Sequence, residues 1–381
     1  MPAEALPVHH NPSRPQLYMS MELASKSWKL AFSDGTAKKP RVVSIDARCE
    51  ASLDDAIVRA KKRFGLSPDA PVVSCHEAGR DGFSVHRFLV GKGTDSIVVD
   101  PASNAVSRRR KRKKTDRLDA LKLLACLVRH HRGDDDVWRV VRIPTVGQED
   151  EREPQREREE LCEERTRHRN RIKSYLARLG IRVRTLRGLP EVVGDLRTLW
   201  GGPVPSEMAL AICRECERLE LVEQHLSLID AEERERLAEP RTEMDAMAST
   251  LVELKGVGVV GAMVVVKELL GWRDFKNRRE VGGASGLTGT PYDTGESSRE
   301  QGISKAGNRR IRRIIIELAW SWLRYQPDSP LTHWFLEKFT TGGKRSKRKG
   351  IVALARRLLI ELWKLLRFGV LPEGVALYRS V

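Results

Sequence analysis

Four carboxylates lie where they could share a divalent metal ion. Glu22 falls within a short apolar segment, Glu77 ends a second one, and Asp116 and Asp119 open an amphipathic segment. The spacing of three in KTDRLDA puts both aspartates on one face of a helix. Carboxylates from neighbouring strands and a helix can hold one or two Mg²⁺ ions, which stabilise the oxygens of a reacting phosphodiester. Singly each is better explained as a cap or surface charge; together they predict a metal site.

The stretch PYDTGESSREQGISKAGNRR, residues 291–310, carries hydroxyls among glycines and arginines and offers little apolar surface to pack. Its hydroxyl side chains are Thr294, Ser297, Ser298 and Ser304. A hydroxyl activated by its surroundings can attack phosphorus as a nucleophile. The alternative is a solvated loop that leads into a helix, and the stretch alone favours that alternative. We expect Ser297 and Ser298 to lie one helical turn from Thr294.

Lysine and arginine outnumber aspartate and glutamate by 69 to 52, a formal net charge of +17. Because the positive charge is clustered, it favours nucleic acid as the anionic partner. The clusters are Arg108, Arg109, Arg110, Lys111, Arg112, Lys113 and Lys114, and further along Lys344, Arg345, Lys347, Arg348 and Lys349. The first run could instead be a solvated loop or a localisation signal. Its position beside two candidate metal ligands favours phosphate binding.

The apolar segments and the cysteines indicate the cellular compartment and whether the chain associates with a membrane. No apolar run reaches the roughly 18 residues of a spanning helix, and residues 1–15 lack the apolar segment of a signal peptide. Six cysteines in 381 residues do not form a disulfide framework. We therefore expect a cytoplasmic protein without a membrane partner. Cys213 and Cys216 form a CxxC pair, which we interpret as two thiols on one helical face because no second ligand pair accompanies it.

The segment 16–147 has the predicted order strand, strand, strand, helix, strand, helix, strand, helix. In SWKLAFSDG, Trp28, Leu30 and Phe32 alternate with polar positions, as in a half-buried strand. Three adjacent strands followed by alternation favour a mixed sheet covered by helices. This is the order of elements in the ribonuclease H-like fold.

The chain changes character near residue 148. Residues 149–180 are charged on most faces, with a thin apolar seam that predicts a solvated helix or coiled-coil arm. The seam residues are Leu161, Ile172, Leu176 and Leu179. A second long helix over 205–240 is expected to pack against this arm. The predicted divisions are a disordered lead over 1–15, an α/β domain over 16–147, a helical arm over 148–243 and a mostly helical domain over 244–381.

The last domain contains two further features. LKGVGVVGAMVVVKELLG, residues 254–271, resembles a helix-hairpin-helix element, whose turn presents backbone N–H groups to DNA phosphates. A plain packing turn between two helices is the alternative. KRSKRKGIVALARRLLIELWKLLRFG places cations directly before an amphipathic helix. A membrane-surface helix is the weaker interpretation, and a core helix with cations left for nucleic acid is the stronger one.

With these motifs the chain resembles a family of insertion-sequence transposases that are guided by a bridge RNA. They combine an N-terminal DEDD domain of the RuvC type with a C-terminal domain carrying a serine nucleophile. The matching segments are SMELASKSWKLAF, CHEAGRDGF, KTDRLDA, GASGLTGTPYDTGESSREQGISKAGNRRIRR and IVALARRLLIELW, within about residues 17 to 375. The resemblance implies an α/β plus mainly α chain: a ribonuclease H-like (RuvC-like) domain, a coiled-coil arm and a small transposase domain.

The resemblance implies that the acidic tetrad is Glu22, Glu77, Asp116 and Asp119, and that it binds Mg²⁺. The first acid is commonly aspartate in the family, whereas this chain has glutamate. Glutamate reaches about one methylene further and still binds Mg²⁺ through oxygen, so the substitution alters the metal geometry without removing the ligand.

The family's nucleophilic serine is expected within a P-Y-x-S-G pattern. This chain reads PYDTG, so Thr294 stands at the serine position. A threonine hydroxyl can attack phosphorus, but its methyl group crowds an in-line approach and restricts χ1. The implied nucleophile is Thr294, with Ser297 and Ser298 as possible substitutes to which the pattern gives no role.

The resemblance also implies the partners. It predicts a homo-oligomer, dimer or tetramer, in the bacterial cytoplasm, assembled around a guide RNA with donor and target DNA so that sites are built between subunits. The residues expected to contact nucleic acid near the nucleophile are Arg299, Lys305, Asn308, Arg309 and Arg310.

The sequence is therefore consistent with three functions. The first is an RNA-guided, Mg²⁺-dependent DNA recombinase that uses a hydroxyl nucleophile. The second is a RuvC-like nuclease that uses water, with a DNA-binding C-terminal half. The third is an inactive, transposase-derived protein that binds nucleic acid.

Overall fold

The computed structural model describes residues 15–36, 39–79, 82–103, 115–134, 136–294 and 297–378; for residues 82, 102 and 291–301 it describes the backbone alone. The chain divides into two compact units, Met1–Ile143 and Pro144–Val381. The described helices include none that is both long and apolar enough to cross a membrane.

The first unit is built on a five-stranded mixed sheet. Its strands are β1 Leu17–Leu23, β2 Ser27–Ser33, β3 Arg41–Asp46, β4 Val72–Glu77 and β5 Asp95–Val99. The spatial order is β3-β2-β1-β4-β5. The first three strands form an antiparallel meander, and β4 and β5 continue the sheet in parallel with β1. The expected mixed sheet is confirmed.

Helices cover both faces of this sheet because its strands bury apolar side chains on both faces. α1 (Glu50–Phe64) and α2 (Gly82–Gly91) share a buried cluster with Leu17, Met19 and Met21 of β1. The intervening positions point the other way, as the two-residue period of a strand requires. On that face α3, Asp116–His131, shares a separate cluster with the rest of the sheet.

The second unit is mostly helical. Its helices are α4 Val146–Asp150, α5 Glu153–Arg178, α6 Leu189–Val192, α7 Ser206–Ala238, α8 Glu243–Val252, α9 Val259–Val265, α10 Arg278–Ala284, α11 Arg309–Tyr325, α12 Pro330–Phe339 and α13 Gly343–Phe368. One π-helical turn, Val266–Leu270, extends α9. A hairpin of β6, Gly289–Thr294, and β7, Ser297–Ile303, joins α10 to α11.

The long helices α5 and α7 pack side by side along the predicted seam. Leu161 lies in a cluster with Val222 and Leu226 of α7. The other three seam residues lie in a cluster with Ile212 and the end of the arm. The burial predicted for the seam is confirmed. The single helix predicted from residue 149 is wrong, because α4 ends and α5 begins on either side of Arg152, where Pro154 occupies the first turn of α5.

Two glycines hold the hairpin between α10 and α11. At Gly286, φ is +68° and a Cβ would lie 2.2 Å from the carbonyl oxygen of Ala306. At Gly307, φ is +110° and a Cβ would lie 2.3 Å from the carbonyl oxygen of Ala284. The chain segments before β6 and after β7 therefore pass each other with backbone against backbone. Only glycine, which has no side chain, allows so close an approach.

We predict that Gly307→Ala destabilises the second unit by about 3 kcal/mol or more, since it combines left-handed strain with a clash against backbone. The control is Gly302→Ala, where φ is +91° but no atom lies within 4 Å of the added Cβ. That substitution should cost about 1 kcal/mol for strain alone. Urea unfolding followed by tryptophan fluorescence measures both, and equal losses would contradict the backbone crossing.

Candidate active-site residues

The predicted acidic residues of the sheet lie at the carboxyl ends of two neighbouring strands. β1 and β4 run in parallel with Met21 opposite His76, so Glu22 and Glu77 follow at the same end. Two positions earlier, the Ser20 hydroxyl donates to the Ala120 carbonyl of α3 at 2.6 Å. Because side chains alternate along a strand, Glu22 faces the α3 side of the sheet as Ser20 does.

The start of α3 brings the two aspartates to this end of the sheet. The Tyr18 hydroxyl lies 3.1 Å from Nδ1 of His131, at the last residue of α3, while Ser20 contacts Ala120 in its second turn. The helix therefore runs against the direction of β1, and its first turn lies towards the end where Glu22 stands. Thr115 caps that turn by accepting from the Leu118 N–H, which supports the helical start predicted for KTDRLDA.

These four carboxylates are suited to Mg²⁺ by chemistry, though they are not gathered into a closed cage. Among the described residues, no group of three or more His, Cys, Asp and Glu side chains lies close enough to hold a metal ion. Mg²⁺ often uses only one or two carboxylates and completes its octahedron with waters and substrate phosphates. The acids therefore fit an open site that a phosphate completes, and the complete tetrad stays a prediction.

The stretch around Thr294 forms a hairpin, which the sequence interpretation missed. Thr294 ends β6 and Ser297 begins β7, and the two are paired across the ladder, with Asp293 opposite Ser298. The expectation that Ser297 and Ser298 lie one helical turn from Thr294 is therefore wrong. The side chains of these residues and of Arg299 lie outside the described part, so their proposed roles stay predictions.

The residues after the hairpin divide into exposed cations and residues engaged within the chain. Lys305 and Arg309 are exposed. Asn308 caps α11 by accepting from the Arg310 and Ile311 N–H groups. Arg310 pairs with Glu159 of α5 at 2.6 Å. The predicted nucleic-acid contact of Arg310 would have to compete with this ion pair, whereas Lys305 and Arg309 present their charge to solvent.

Glu268 joins the arm to the helix that follows the hairpin. It lies on the π-helical turn with 2% of its side chain exposed. Its carboxylate accepts from Arg156 Nε of α5 and from Asn308 Nδ2, each at 2.9 Å. Burial acts to raise the Glu268 pKa, but the hydrogen bond and charge of Arg156 outweigh burial, so the pKa lies below its ordinary value. A charged residue inside the apolar run VVVKELL was the sequence signal for this contact.

The cations of α13 fall into two groups. Arg345, Arg348 and Lys349 line a cavity of about 970 Å³, whereas Lys344 and Lys347 are exposed outside its lining. The cavity lining also contains cations that sequence reasoning did not select, namely Arg278, Arg279, Arg356, Arg357 and Lys364. The spacing of the α13 members by three and four was the signal that could have identified one face.

Three other predictions concern features away from the acidic residues and the hairpin. The run Arg108–Lys114 lies outside the described residues. The glycine-rich turn of the helix-hairpin-helix-like element separates α8 from α9, and its contact with DNA stays a prediction. The Cys213–Cys216 pair lies on α7, with both thiols free and Cys216 buried, as expected for two thiols on one helical face.

Comparison with protein-family models gives two matches on separate parts of the chain. Residues 248–333 match the model described as the transposase IS116/IS110/IS902 family. Residues 36–181 match a transposase model of the DEDD IS110 type. The first match includes the hairpin, and the second includes Glu77, Asp116 and Asp119.

Individual relatives give consistent names. "Putative transposase y4rJ" of Sinorhizobium fredii is 37% identical over 379 residues, which cover 95% of this chain and 94% of that protein. A second protein of that species, y4qE, is 27% identical over 73% of this chain and 65% of its own length. "Transposase for insertion sequence element IS1328" of Yersinia enterocolitica is 27% identical over 43% of this chain and 47% of its own.

We predict that Glu268→Gln lowers the free energy of unfolding at pH 7 by about 2 kcal/mol, because it removes a buried charge from Arg156. A depressed carboxylate pKa contributes stability above the unfolded pKa and loses it as pH falls through the folded pKa. The difference between wild type and variant should therefore shrink below the ordinary glutamate value of 4.5. Urea unfolding from pH 7 to pH 3 measures this difference.

Glu153→Gln is the matched control, since Glu153 also pairs with Arg156, at 3.0 Å, but is 59% exposed. An exposed ion pair contributes about 0.5 kcal/mol or less. The buried ion pair would be contradicted if Glu153→Gln lowered the free energy of unfolding as much as Glu268→Gln does. It would also be contradicted if the difference between wild type and Glu268→Gln did not change with pH.

Proposed function

Because the chain belongs to the IS116/IS110/IS902 family of transposases, we propose that it exchanges DNA strands through a covalent protein–DNA intermediate under the guidance of an RNA. Family membership makes it a transposase, an enzyme that cleaves and recombines DNA. The observation that carries the mechanistic proposal is the threonine at the turn of the β6–β7 hairpin, within the transposase-family segment. Its position at the end of β6, opposite the first residue of β7, supports this role.

In the proposed reaction, Thr294 Oγ forms a bond to phosphorus as the bond from phosphorus to a deoxyribose oxygen breaks. The hydroxyl proton leaves Oγ, and the departing sugar oxygen takes a proton to become a hydroxyl. A hydroxyl of another strand then attacks the phosphothreonine and releases Oγ. Because each phosphodiester broken is replaced by another, the exchange conserves bond energy and needs no nucleotide cofactor.

Glu22, Glu77, Asp116 and Asp119 are proposed to hold Mg²⁺. A bound Mg²⁺ would supply Lewis-acid stabilisation of phosphate charge. The α3 start supports this proposal, since Thr115 fixes the turn from which both aspartates project. Lys305 and Arg309 are proposed to bind the phosphate backbone next to the hairpin, since both are exposed cations. Arg299, Asn308 and Arg310 are proposed to act there as well.

Guidance by RNA and assembly as an oligomer are proposed from the family resemblance and the charge. A net charge of +17 supports binding of a large polyanion. If base pairing carries the target sequence, the protein needs no base-reading helix. The strand order β3-β2-β1-β4-β5 supports a ribonuclease H-like assignment for the first unit.

A metal-dependent nuclease that uses water is the second candidate. The specific observation in its favour is threonine where the family pattern has serine, because the β-methyl group restricts the nucleophile's rotamer. This candidate and the first differ in whether DNA becomes attached to protein.

We predict that wild-type protein incubated with its guide RNA, target and donor DNA and Mg²⁺ gives a covalent adduct that survives denaturing electrophoresis. Thr294→Ala should abolish the adduct, since it removes the hydroxyl proposed to attack phosphorus. Thr294→Ser should retain or increase it, because serine lacks the crowding methyl group. Leaving out the RNA should reduce the adduct to background.

Ser297→Ala is the matched control, since it removes the hydroxyl paired across the ladder from Thr294. It should leave the adduct unchanged. Cleavage that persists in Thr294→Ala without an adduct would replace the proposal with the water-using nuclease. If the wild-type protein gives no product, binding of nucleic acid without catalysis is the one function that remains.

We also predict that Asp119→Asn reduces adduct formation by at least 100-fold in Mg²⁺, because an amide is a weaker ligand for a hard cation than a carboxylate. Asp55→Asn is the control, since Asp55 is an exposed acid on α1 that pairs only with neighbouring Arg59 in the described contacts. Single-turnover adduct kinetics at several Mg²⁺ concentrations measure both variants. An equal effect of the two substitutions would contradict a metal role for Asp119.

A further inference from the structure

A cationic groove runs along α13 in the second unit. Its volume is about 970 Å³, and its lining comes from α10, the base of the β6–β7 hairpin, α12 and α13. Eight arginines and lysines line it against one acid, Glu361. Glu361 is paired with Lys364 at 2.8 Å, so it neutralises a charge that belongs to the groove itself.

The α13 residues of the lining occupy one face of the helix. They are Arg345, Arg348, Lys349, Val352, Ala353, Arg356, Arg357, Ile360, Glu361 and Lys364. The separations of three and four are those of a single helical stripe. Such a stripe normally packs on a core when it is apolar, whereas this one carries cations along its whole length with a few apolar residues between them. At 1.5 Å per residue, it extends for about 28 Å.

Most of the groove's charges lack acidic partners within the described part of the chain. No described carboxylate pairs with Arg278, Arg279, Arg345, Arg348 or Lys349. Arg356 Nε is buried and makes no hydrogen bond among the described residues. Like charges gathered around one concave surface repel each other, and a low-dielectric wall strengthens their field on an anion. The arrangement is therefore complementary to a polyanion.

The floor of the groove is apolar and aromatic. Leu287, Leu331, Val352 and Ile360 contribute to it. The guanidinium of Arg357 lies 3.7 Å from the ring centre of Trp334, a stacked cation–π pair. Arginine guanidinium groups and aromatic rings are both surfaces on which nucleobases stack.

From this geometry we propose that the groove binds a single strand of nucleic acid, with bases on the apolar floor and phosphates on the cationic rims. A duplex keeps the faces of its bases stacked inside, so it would leave the apolar, aromatic floor unused. Single-strand sites combine a basic channel with stacking platforms in this way.

The groove reaches the hairpin at Gly289 and Gly302, where β6 begins and β7 nears its end. A bound strand would therefore approach the base of the hairpin whose turn carries Thr294. A role for the groove in bringing a strand to Thr294 rests on the proposed function, because it assumes that Thr294 cuts DNA. The binding of a single strand does not depend on that assumption, and the two are tested by different measurements.

The test measures the fluorescence anisotropy of a labelled 15-nucleotide oligothymidylate with the full-length protein, without guide RNA, as a function of salt. The groove variant is Arg279→Gln with Lys349→Gln. The matched control is Lys276→Gln with Lys338→Gln, which removes the same charge from exposed positions of the second unit outside the groove lining. All four side chains are exposed, so neither double variant disturbs the core.

The groove variant should lower affinity about tenfold at about 0.15 M salt. It should also reduce the slope of log K against log salt by about 1.4, which is about 0.7 for each phosphate that the protein no longer neutralises. The control should keep the wild-type slope. An unchanged groove variant, or equal decreases of affinity in the two variants, would overturn the proposal.

Three further oligonucleotides identify the strand. An abasic 15-mer should bind more weakly than oligothymidylate, and a 15-base-pair duplex should lose no affinity in the groove variant. Equal binding of the abasic strand, or an equal loss for the duplex, would overturn the single-strand assignment. Oligouridylate separates RNA from DNA: a loss in the groove variant for either polymer supports the proposal, and the larger loss identifies the strand. Thr294→Ala should bind all of these oligonucleotides as wild type does. A failed adduct test would therefore not contradict binding of a single strand in the groove.

Discussion

A buried carboxylate organises the second unit. Glu268 is almost wholly removed from water, and an ionised group there is stable only with charge and hydrogen bonds arranged around it. Arg156 from the arm and Asn308 from the start of α11 supply them. The partners come from segments far apart in the chain, so satisfying one carboxylate fixes the arm, the π-helical turn and the helix after the hairpin relative to each other.

This constraint has consequences for the hairpin. Asn308 bonds Glu268 through its amide nitrogen and caps α11 through its oxygen, so both ends of its side chain are committed. Gly307 directly before it crosses the backbone of Ala284. The base of the hairpin is thus held by a charge network on one side and a backbone crossing on the other. Arg310 and Arg313 extend the network to Glu159.

Local patterns predicted the parts of the molecule that depend on neighbouring residues. Alternation in SWKLAFSDG predicted a strand, and the spacing of the aspartates in KTDRLDA predicted a helix start, because both depend on residues a few positions apart. The hairpin was missed because its strands are polar and glycine-rich, so no apolar period marks them. The break before α5 was missed because the charged run around Arg152 continues through it without a change of composition.

The sequence by itself determined the chemistry that is available: a large positive charge, four candidate oxygen ligands, a hydroxyl in a glycine-flanked stretch and family membership. Only the tertiary structure decided which of these groups share a surface. Parallel pairing of β1 with β4 brings Glu22 and Glu77 to one sheet end, and a helix face turns scattered cations of α13 into one groove. The physical reason is that pairing and packing join residues far apart in the chain, whereas composition and spacing report only on near neighbours.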